Sequence, residues 1–271
     1  METTQAGPLR QTRVCFGRCL RAFVNDHGWK TFLSVALITV LIGMVMGEDT
    51  FVGYYATKNG AFALVCACIW IGIFNSIRTI CRERDIVRRE HRTGLNIGSY
   101  VVAHWLYEAL LCAAEAVVVT LIVRVMCWGH FIERGVLVEP TLEVLVTFFL
   151  IIFSSDALGL LISSVVRSEN TAMTVMPFAL IVQLVMSGSI FELAGIPKFI
   201  SALTISRWGL DAICSTAHLN HMLEVAGGYV EALPEQASNP HNLVLLWLTL
   251  LGFAVIYAIL AIVALSFVDE G

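Results

Sequence analysis

The chain has 271 residues, of which 58% are hydrophobic and 14% are charged, and its mean hydropathy is +0.79. A water-soluble domain usually carries about 25% charged residues, so this composition excludes an ordinary soluble protein and indicates a chain largely surrounded by lipid. The net charge of −4 gives no reason to expect a nucleic acid or an acidic partner.

Six apolar stretches are long enough to cross a bilayer as helices, which takes roughly 20 residues each. We therefore predict an all-α integral membrane protein with six transmembrane helices in one domain, 29–268, preceded by an N-terminal segment, 1–28. In chain order the predicted spans are 29–46, 60–80, 99–126, 142–166, 171–191 and 243–267.

Basic residues predict the orientation, because they concentrate in the cytoplasmic segments of membrane proteins. Of the 17 lysines and arginines, all but five fall on the side of the membrane that holds the N-terminus. The five on the other side are Lys58, Arg124, Arg134, Lys198 and Arg207. We therefore expect a cytoplasmic N-terminus and, with an even number of spans, a cytoplasmic C-terminus.

The segment before the first span, 11–30, mixes apolar residues such as Val14, Leu20 and Phe23 with basic ones. This pattern favours an amphipathic helix lying in the inner membrane interface. An ordinary positively charged flank of the first span explains the same residues, and the sequence does not choose between the two.

The cytoplasmic segment between spans two and three, 82–94, carries a dense run of charge, RERDIVRREHRTG. Asp85 precedes Arg88 and Arg89 by three and four residues, a spacing that favours a helix. Gly94 suits the left-handed residue that ends one. A solvated loop would explain the arginines but not the interleaved acids, so we predict a short charged helix that docks a soluble partner.

Four polar residues interrupt the apolar spans, where such groups are costly: His104, Glu108, Glu115 and Asp156. The first three are spaced so that they share one stripe of span three. They could form a polar relay from the inner helix to a central cavity, or a proton-linked site. A hydrogen-bonded seam between helices explains the same residues and is the interpretation that we favour.

The outer segment between spans five and six, 192–242, divides into two halves. We expect the first half, IPKFISALTISRWGLDAIC, to form re-entrant helices in the outer interface, and the second half to be a loop. Four residues here could share a helical face and bind zinc: Asp211, Cys214, His218 and His221. Cys127 and Cys214 are the two cysteines that could meet on the outer side.

Three segments in order resemble the type-2 permease fold of G-subfamily ABC exporters. The first is CRERDIVRREHRTGLNIGSY, in which Glu83, Arg89-Glu90, Gly94 and Ser99-Tyr100 match the family pattern. The second, DALGLLISSVVRSENTAMTVMPFALIVQLVMSG, covers 156–188, and the third, IPKFISALTISRWGLDAI, contains Trp208-Gly209. The resemblance extends over most of 10–268.

This resemblance implies that 82–94 is the coupling helix that contacts an ATPase domain. Its contact set would be Arg82, Glu83, Arg84, Arg88, Arg89, Glu90, Arg92 and Gly94. The chain contains no G-x-x-x-x-G-K-[ST] loop to hold nucleotide phosphates, so it binds no ATP by that route. ATP and Mg²⁺ are expected in a partner ATPase, encoded separately or once fused to this chain.

The resemblance also implies a translocation path at the interface of two permease chains, which form a homodimer or a related heterodimer. The implied lining residues are Ala67, Ile71, Phe74, Asn75, Pro177, Ile181, Leu184 and Val185, with Ser189 and Ile190 at an outer plug. Multidrug members place an aromatic residue near the position of Ile71, where this chain has none. Lipid-facing or packing roles explain each apolar residue equally well.

The predicted function is therefore the permease subunit of an ATP-driven exporter of hydrophobic or amphipathic substrates, in the plasma or inner membrane of a bacterium. A membrane scaffold or receptor that docks a cytoplasmic partner is the alternative. An integral-membrane metalloenzyme built on Asp211, His218 and His221 is a third hypothesis. The sequence does not identify the substrate.

Overall fold

The computed structural model describes residues 7–47, 49–191, 193, 195–226 and 233–268, and the regular secondary structure of these residues is helical. The α-helices are α1 Pro8–Asn25, α2 Lys30–Val45, α3 Tyr54–Ser76, α4 Thr79–Arg92, α5 Ile97–Met126, α6 Pro140–Val165, α7 Glu169–Val185, α8 Ile196–Ser201, α9 Ile205–Thr216, α10 Leu219–Ala226 and α11 Pro240–Val268. A single turn of 3₁₀ helix lies at Pro234–Gln236.

Among the described residues, length and composition qualify four helical stretches as membrane spans: Tyr54–Arg92, α5, α6 and most of α11. The pair α1 and α2, bent by 72° at their junction, gives a fifth candidate if it is counted as one span. α7 is apolar but has 17 residues, fewer than a straight span usually needs. The chain is thus an all-helical, multi-pass membrane protein, and the six-span arrangement stays a prediction.

The core of the bundle is built around α6, which packs against α3, α5, α9 and α11. Gly72 and Gly159 let α3 and α6 approach closely, because a Cβ on Gly72 would overlap the backbone of α6 at Ile152. Side-chain hydrogen bonds join the same helices, as from the Ser76 hydroxyl to the Asp156 carbonyl oxygen at 2.6 Å. Small residues and polar contacts of this kind hold membrane helices together.

The N-terminal segment forms the helix α1, which packs along α5 and has both a buried and an exposed side. Cys15 and Cys19 are buried, whereas Leu9, Val14 and Val24 are exposed. An exposed apolar side beside basic residues is the pattern predicted for an interfacial helix.

The charged segment forms α4, which ends in the left-handed geometry predicted for Gly94, with φ at +109°. The amide of Leu95 donates to the carbonyl of Glu90 at 2.9 Å, and the amide of Gly94 donates to that of His91 at 3.0 Å. This pair of bonds satisfies carbonyls that the helix end would otherwise leave open. The helix begins at Thr79, three residues before the predicted start.

Two further differences from the sequence prediction concern α7 and the outer segment. α7 ends at Val185, so the last six residues of the predicted fifth span leave the helix. The cause is local: the Ser187 hydroxyl donates to the Leu184 carbonyl oxygen at 2.8 Å, and Gly188 has φ at +77°. The second half of the outer segment, predicted as a loop, contains α10 and the 3₁₀ turn.

Candidate functional site

A group of polar side chains joins α1, α4 and the first turns of α5, on the side of the molecule that we predict to be cytoplasmic. We call this group the inner clamp: Arg18, Glu83, Glu90, Tyr100 and His104. Arg18 on α1 contacts two acids on α4, Glu83 at 3.1 Å and Glu90 at 3.2 Å. These acids are seven residues apart and so lie on the same face of the helix. One guanidinium therefore fixes α4 against α1 at two points.

Glu83 is the centre of the inner clamp because three neighbouring side chains face its carboxylate. The Tyr100 hydroxyl donates to Glu83 Oε2 at 2.9 Å, and His104 Nε2 lies 3.7 Å from the same oxygen. Burial alone would raise the pKa of Glu83, but His104, Tyr100 and Arg18 outweigh it and lower the pKa to about 2. Glu83 is thus ionised at neutral pH and binds α4 to α5.

A second set of bonds joins α4 to the inner end of α6. The Arg84 guanidinium donates to the carbonyl of Val166 and, at 3.1 Å, to that of Ser164. The Ser163 hydroxyl accepts from the amides of Ile80 at 3.0 Å and Cys81 at 3.1 Å. Because α7 begins a few residues later, α4 is bonded to the connection between two helices of the bundle.

These contacts divide the predicted coupling residues into two groups. Glu83, Arg84 and Glu90 point toward the rest of the chain and are engaged there. Arg82, Arg89 and Arg92 are exposed, and Arg88 is half-buried. The sequence did not reveal that Arg18 is the partner of two predicted coupling residues.

The three residues predicted to share one stripe of α5, His104, Glu108 and Glu115, are all buried, and so is Asp156 on α6. His104 also belongs to the inner clamp. The Asn75 amide donates to Glu115 Oε2 at 2.7 Å, so Asn75, expected to line the path, contacts this acid instead. One oxygen of each glutamate and both of Asp156 lack a hydrogen-bond partner within the described part of the chain.

A groove of about 310 Å³ lies between α3 and α7, where the substrate path was predicted. On α7 it is lined by Pro177, Ile181 and Leu184, which were among the residues predicted to line the path. On α3 it is lined by Cys66, Ile69 and Trp70.

Two of the α3 residues predicted for the path, Ala67 and Ile71, lie on the side of the helix that faces the bundle rather than the groove. Both are 4% exposed and pack inside the bundle, because consecutive helical residues differ by about 100° in direction. Trp70 and Phe74, 48% and 44% exposed, place two aromatic rings on the open side, with centroids 6.4 Å apart. The remaining named residues, Val185, Ser189 and Ile190, are half-buried or exposed near the outer end of α7.

On the side that we predict to face outward, Asp211, one of the residues predicted to bind zinc, belongs to a group of polar side chains. We call this group the outer cluster: Arg207, Asp211, Glu235 and Gln236. Asp211 Oδ1 accepts from the Gln236 amide at 3.0 Å, and the ring of His218 contacts the Arg134 carbonyl at 2.9 Å. No group of three His, Cys, Asp or Glu among the described residues could hold a metal ion. Cys127 and Cys214 are both buried free thiols.

Comparison with known proteins identifies the family. An ABC transporter ATP-binding/permease protein of Mycobacterium tuberculosis is 29% identical over 222 residues, which cover 78% of this chain and 26% of that protein. The chain therefore spans about a quarter of the length of this relative. The sequence model of the ABC-2 type transporter family matches residues 10–217. Since that match covers most of the chain, the protein belongs to the ABC-2 type transporter family and is a multi-pass permease component of an ABC transporter.

Proposed function

We propose that this chain is the permease subunit of an ATP-driven exporter, and that a separate ATPase subunit drives it through α4. The observation that carries the proposal is the position of α4, which is bonded to α1 and α5 by the inner clamp and to α6 by Arg84. A displacement of α4 would be passed directly to three helices of the bundle.

Exposed charge on α4 supports the contact with the ATPase. Arg89 and Arg92 lie near its end and are exposed, whereas the clamp holds the opposite side of the helix. Because Arg82 lines a cavity within the chain, we assign the ATPase contact to Arg89, Arg92 and neighbouring residues rather than to the whole predicted set. ATP and Mg²⁺ would bind the ATPase. The mycobacterial relative is an ATP-binding/permease protein, so in that protein the two functions belong to one chain.

The open groove between α3 and α7 supports a path shared by two permease chains. Its lining is almost entirely apolar, which suits a hydrophobic or amphipathic substrate. We propose that a second copy or a related chain closes this face, and that Trp70 contacts the substrate. We further propose six spans, with α2 and α7 as short ones, both termini in the cytoplasm, and a bacterial plasma membrane as the location.

The test is to purify the chain with the ATPase that accompanies it and to measure substrate-stimulated ATP hydrolysis. The variants R89A and R92A should each lower the stimulated rate by roughly fivefold, equivalent to about 1 kcal/mol of lost contact. These variants remove exposed charge and leave the inner clamp intact. E90A would be a poor test, since it also removes a contact of Arg18.

The matched control is R10A, which removes an exposed arginine from α1. It should leave stimulated hydrolysis unchanged. If R89A and R92A hydrolyse ATP as R10A does and still bind the ATPase, α4 is not the coupling helix. A chain that binds no ATPase at all would favour the scaffold or receptor function instead.

A further inference from the structure

A second cavity, of about 520 Å³, lies between α1, the junction of α3 and α4, and α5. It is separate from the apolar groove between α3 and α7 and, unlike that groove, it is lined by charged side chains. We call it the inner cavity. The residues that matter for its chemistry are Phe23, Phe74, Arg78, Arg82, Tyr107 and Glu108.

One carboxylate in the inner cavity lacks a counter-charge. Glu108 lines the cavity but is only 2% exposed, and its Oε2 has no hydrogen-bond partner within the described part of the chain. The closest acid on the same helix, Glu115, takes its hydrogen bond from Asn75 instead. A buried carboxyl group is costly unless a hydrogen-bond donor, a cation or a proton compensates it, so a ligand that brings a cationic hydrogen-bond donor would satisfy Glu108.

Two arginines in the same cavity, Arg78 and Arg82, offer positive charge to a ligand. Arg78 and Arg82 are exposed, and neither forms an ion pair with any residue that the structure describes. They are four residues apart, which places them side by side on consecutive turns. Paired guanidinium groups bind phosphate oxygens well. The third arginine of the cavity, Arg18, is already bound to Glu83 and Glu90.

Aromatic side chains complete the lining. Phe23 on α1, Phe74 on α3 and Tyr107 on α5 all face the inner cavity. Aromatic faces attract ammonium groups, and they do so more strongly in sites from which water is excluded. A ligand that combines an ammonium group, a phosphate and an apolar body would therefore satisfy each part of this lining.

We propose that the inner cavity binds the headgroup of an inner-leaflet phospholipid that carries an ammonium group, such as phosphatidylethanolamine. Its phosphate contacts Arg78 and Arg82, and its ammonium group contacts Glu108 and the aromatic rings. A phospholipid with a neutral alcohol headgroup would satisfy the arginines and leave Glu108 without a partner. This site goes beyond the exporter function and does not rest on it.

The experiment measures lipid binding to the purified full chain in detergent by native mass spectrometry. Phosphatidylethanolamine and phosphatidylglycerol with identical acyl chains are compared. The unmodified chain should bind phosphatidylethanolamine about tenfold more tightly, and E108Q should reduce this preference to below about threefold. R82Q should weaken the binding of both lipids by a similar factor, because it removes a phosphate contact only.

Two control variants separate the inner cavity from general effects of charge. E115Q changes another buried acid of α5 that does not line the cavity, and R92Q removes an exposed arginine of α4 that does not line it either. Both should keep the tenfold preference. Equal binding of the two lipids by the unmodified chain, or a preference that survives in E108Q, would overturn the proposal.

A competition arm separates two sources of the same headgroup chemistry. Glycerophosphoethanolamine is the water-soluble headgroup of the lipid without its acyl chains. If it displaces the lipid at micromolar concentration, the site binds a soluble phospho-amine; if it does not, the acyl chains contribute and the ligand is the lipid. Should E108Q fail to fold, the comparison of the two lipids on the unmodified chain and on R82Q still decides the outcome.

Discussion

The inner clamp and the outer cluster have the same plan, one arginine between two acids, and yet the pKa of one acid is shifted in opposite directions in the two groups. On the inner side Arg18 lies 3.1 Å from Glu83 and 3.2 Å from Glu90. On the outer side Arg207 lies 4.0 Å from Asp211 and 3.4 Å from Glu235. The pKa of Glu83 falls to about 2, whereas that of Asp211 rises to about 6.

The difference follows from the number of close donors and from the depth of burial. Glu83 is about one-third exposed and faces Arg18, Tyr100 and His104. Burial dominates at Asp211, and the Gln236 amide and the more distant Arg207 lower its pKa only in part. An ion pair on this protein is therefore strong where several donors converge on one oxygen, and weak where a single arginine is shared at longer range.

The largest expected effect in this comparison is the loss of Glu83. E83A should destabilise the chain by about 2–3 kcal/mol, because it removes one of the two acceptors of Arg18 and takes away the acceptor of the buried Tyr100 hydroxyl. E90A should cost about 1 kcal/mol or less, since Glu90 is 40% exposed and Arg18 is its ion-pair partner among the described residues. Thermal unfolding in detergent, followed by tryptophan fluorescence, measures both.

Equal losses of stability in E83A and E90A would show that the several donors around Glu83 contribute no more to stability than the single contact of Glu90. R21A is a suitable control, because Arg21 is an exposed arginine of α1 whose removal should change the unfolding midpoint little. If R21A destabilised the chain as much as E83A, the effect would come from general charge rather than from the clamp.

The next effect is a loss of stability in acid that depends on Glu83. Its pKa in the folded chain is lowered to about 2 from an ordinary value of 4.5. Its contribution to stability is therefore present above pH 4.5 and is lost as the pH falls toward 2. In E83Q the unfolding midpoint should therefore fall less steeply as the pH is lowered from 4.5 toward 2. Unfolding midpoints in a pH series measure this. An acid limb that is unchanged in E83Q would contradict the clamp electrostatics.

The family and the main helices could be predicted from the sequence because their signals are local. Apolar runs of about twenty residues, the dense charge of α4 and the glycine at its end each depend on neighbouring residues alone. Three matching segments in the right order then pointed to the family that the comparison identifies. The count of spans was less secure, since α2 and α7 have 16 and 17 residues, fewer than a straight span usually needs.

The contacts of the site could not be predicted, because they join distant parts of the chain. Arg18 and Glu90 are 72 residues apart, and nothing in the α1 segment marks Arg18 among its basic neighbours. The path residues of α3 were taken from the family resemblance, and the helix is apolar on all sides, so its own periodicity could not correct that register. Ala67 and Ile71 are buried in the bundle, whereas Trp70 lines the groove.

The smallest expected effect is also the most discriminating, because its sign is reversed. The raised pKa of Asp211 means that the folded chain favours the protonated carboxyl. Its contribution to stability is present below pH 3.8 and is lost as the pH rises through about 6. D211N keeps an acceptor for Gln236 and carries no charge. It should therefore stabilise the chain at pH 8, by up to about 1 kcal/mol.

At pH 4 the D211N variant and the unmodified chain should have the same unfolding midpoint, because Asp211 is then largely neutral in the folded state. The matched inner variant, E83Q, should behave in the opposite way and be less stable at pH 8. If D211N also destabilised the chain at pH 8, the ion pair with Arg207 would outweigh the cost of burial. The two regions would then differ in degree only, and the number of converging donors would not decide the state of a buried acid in this protein.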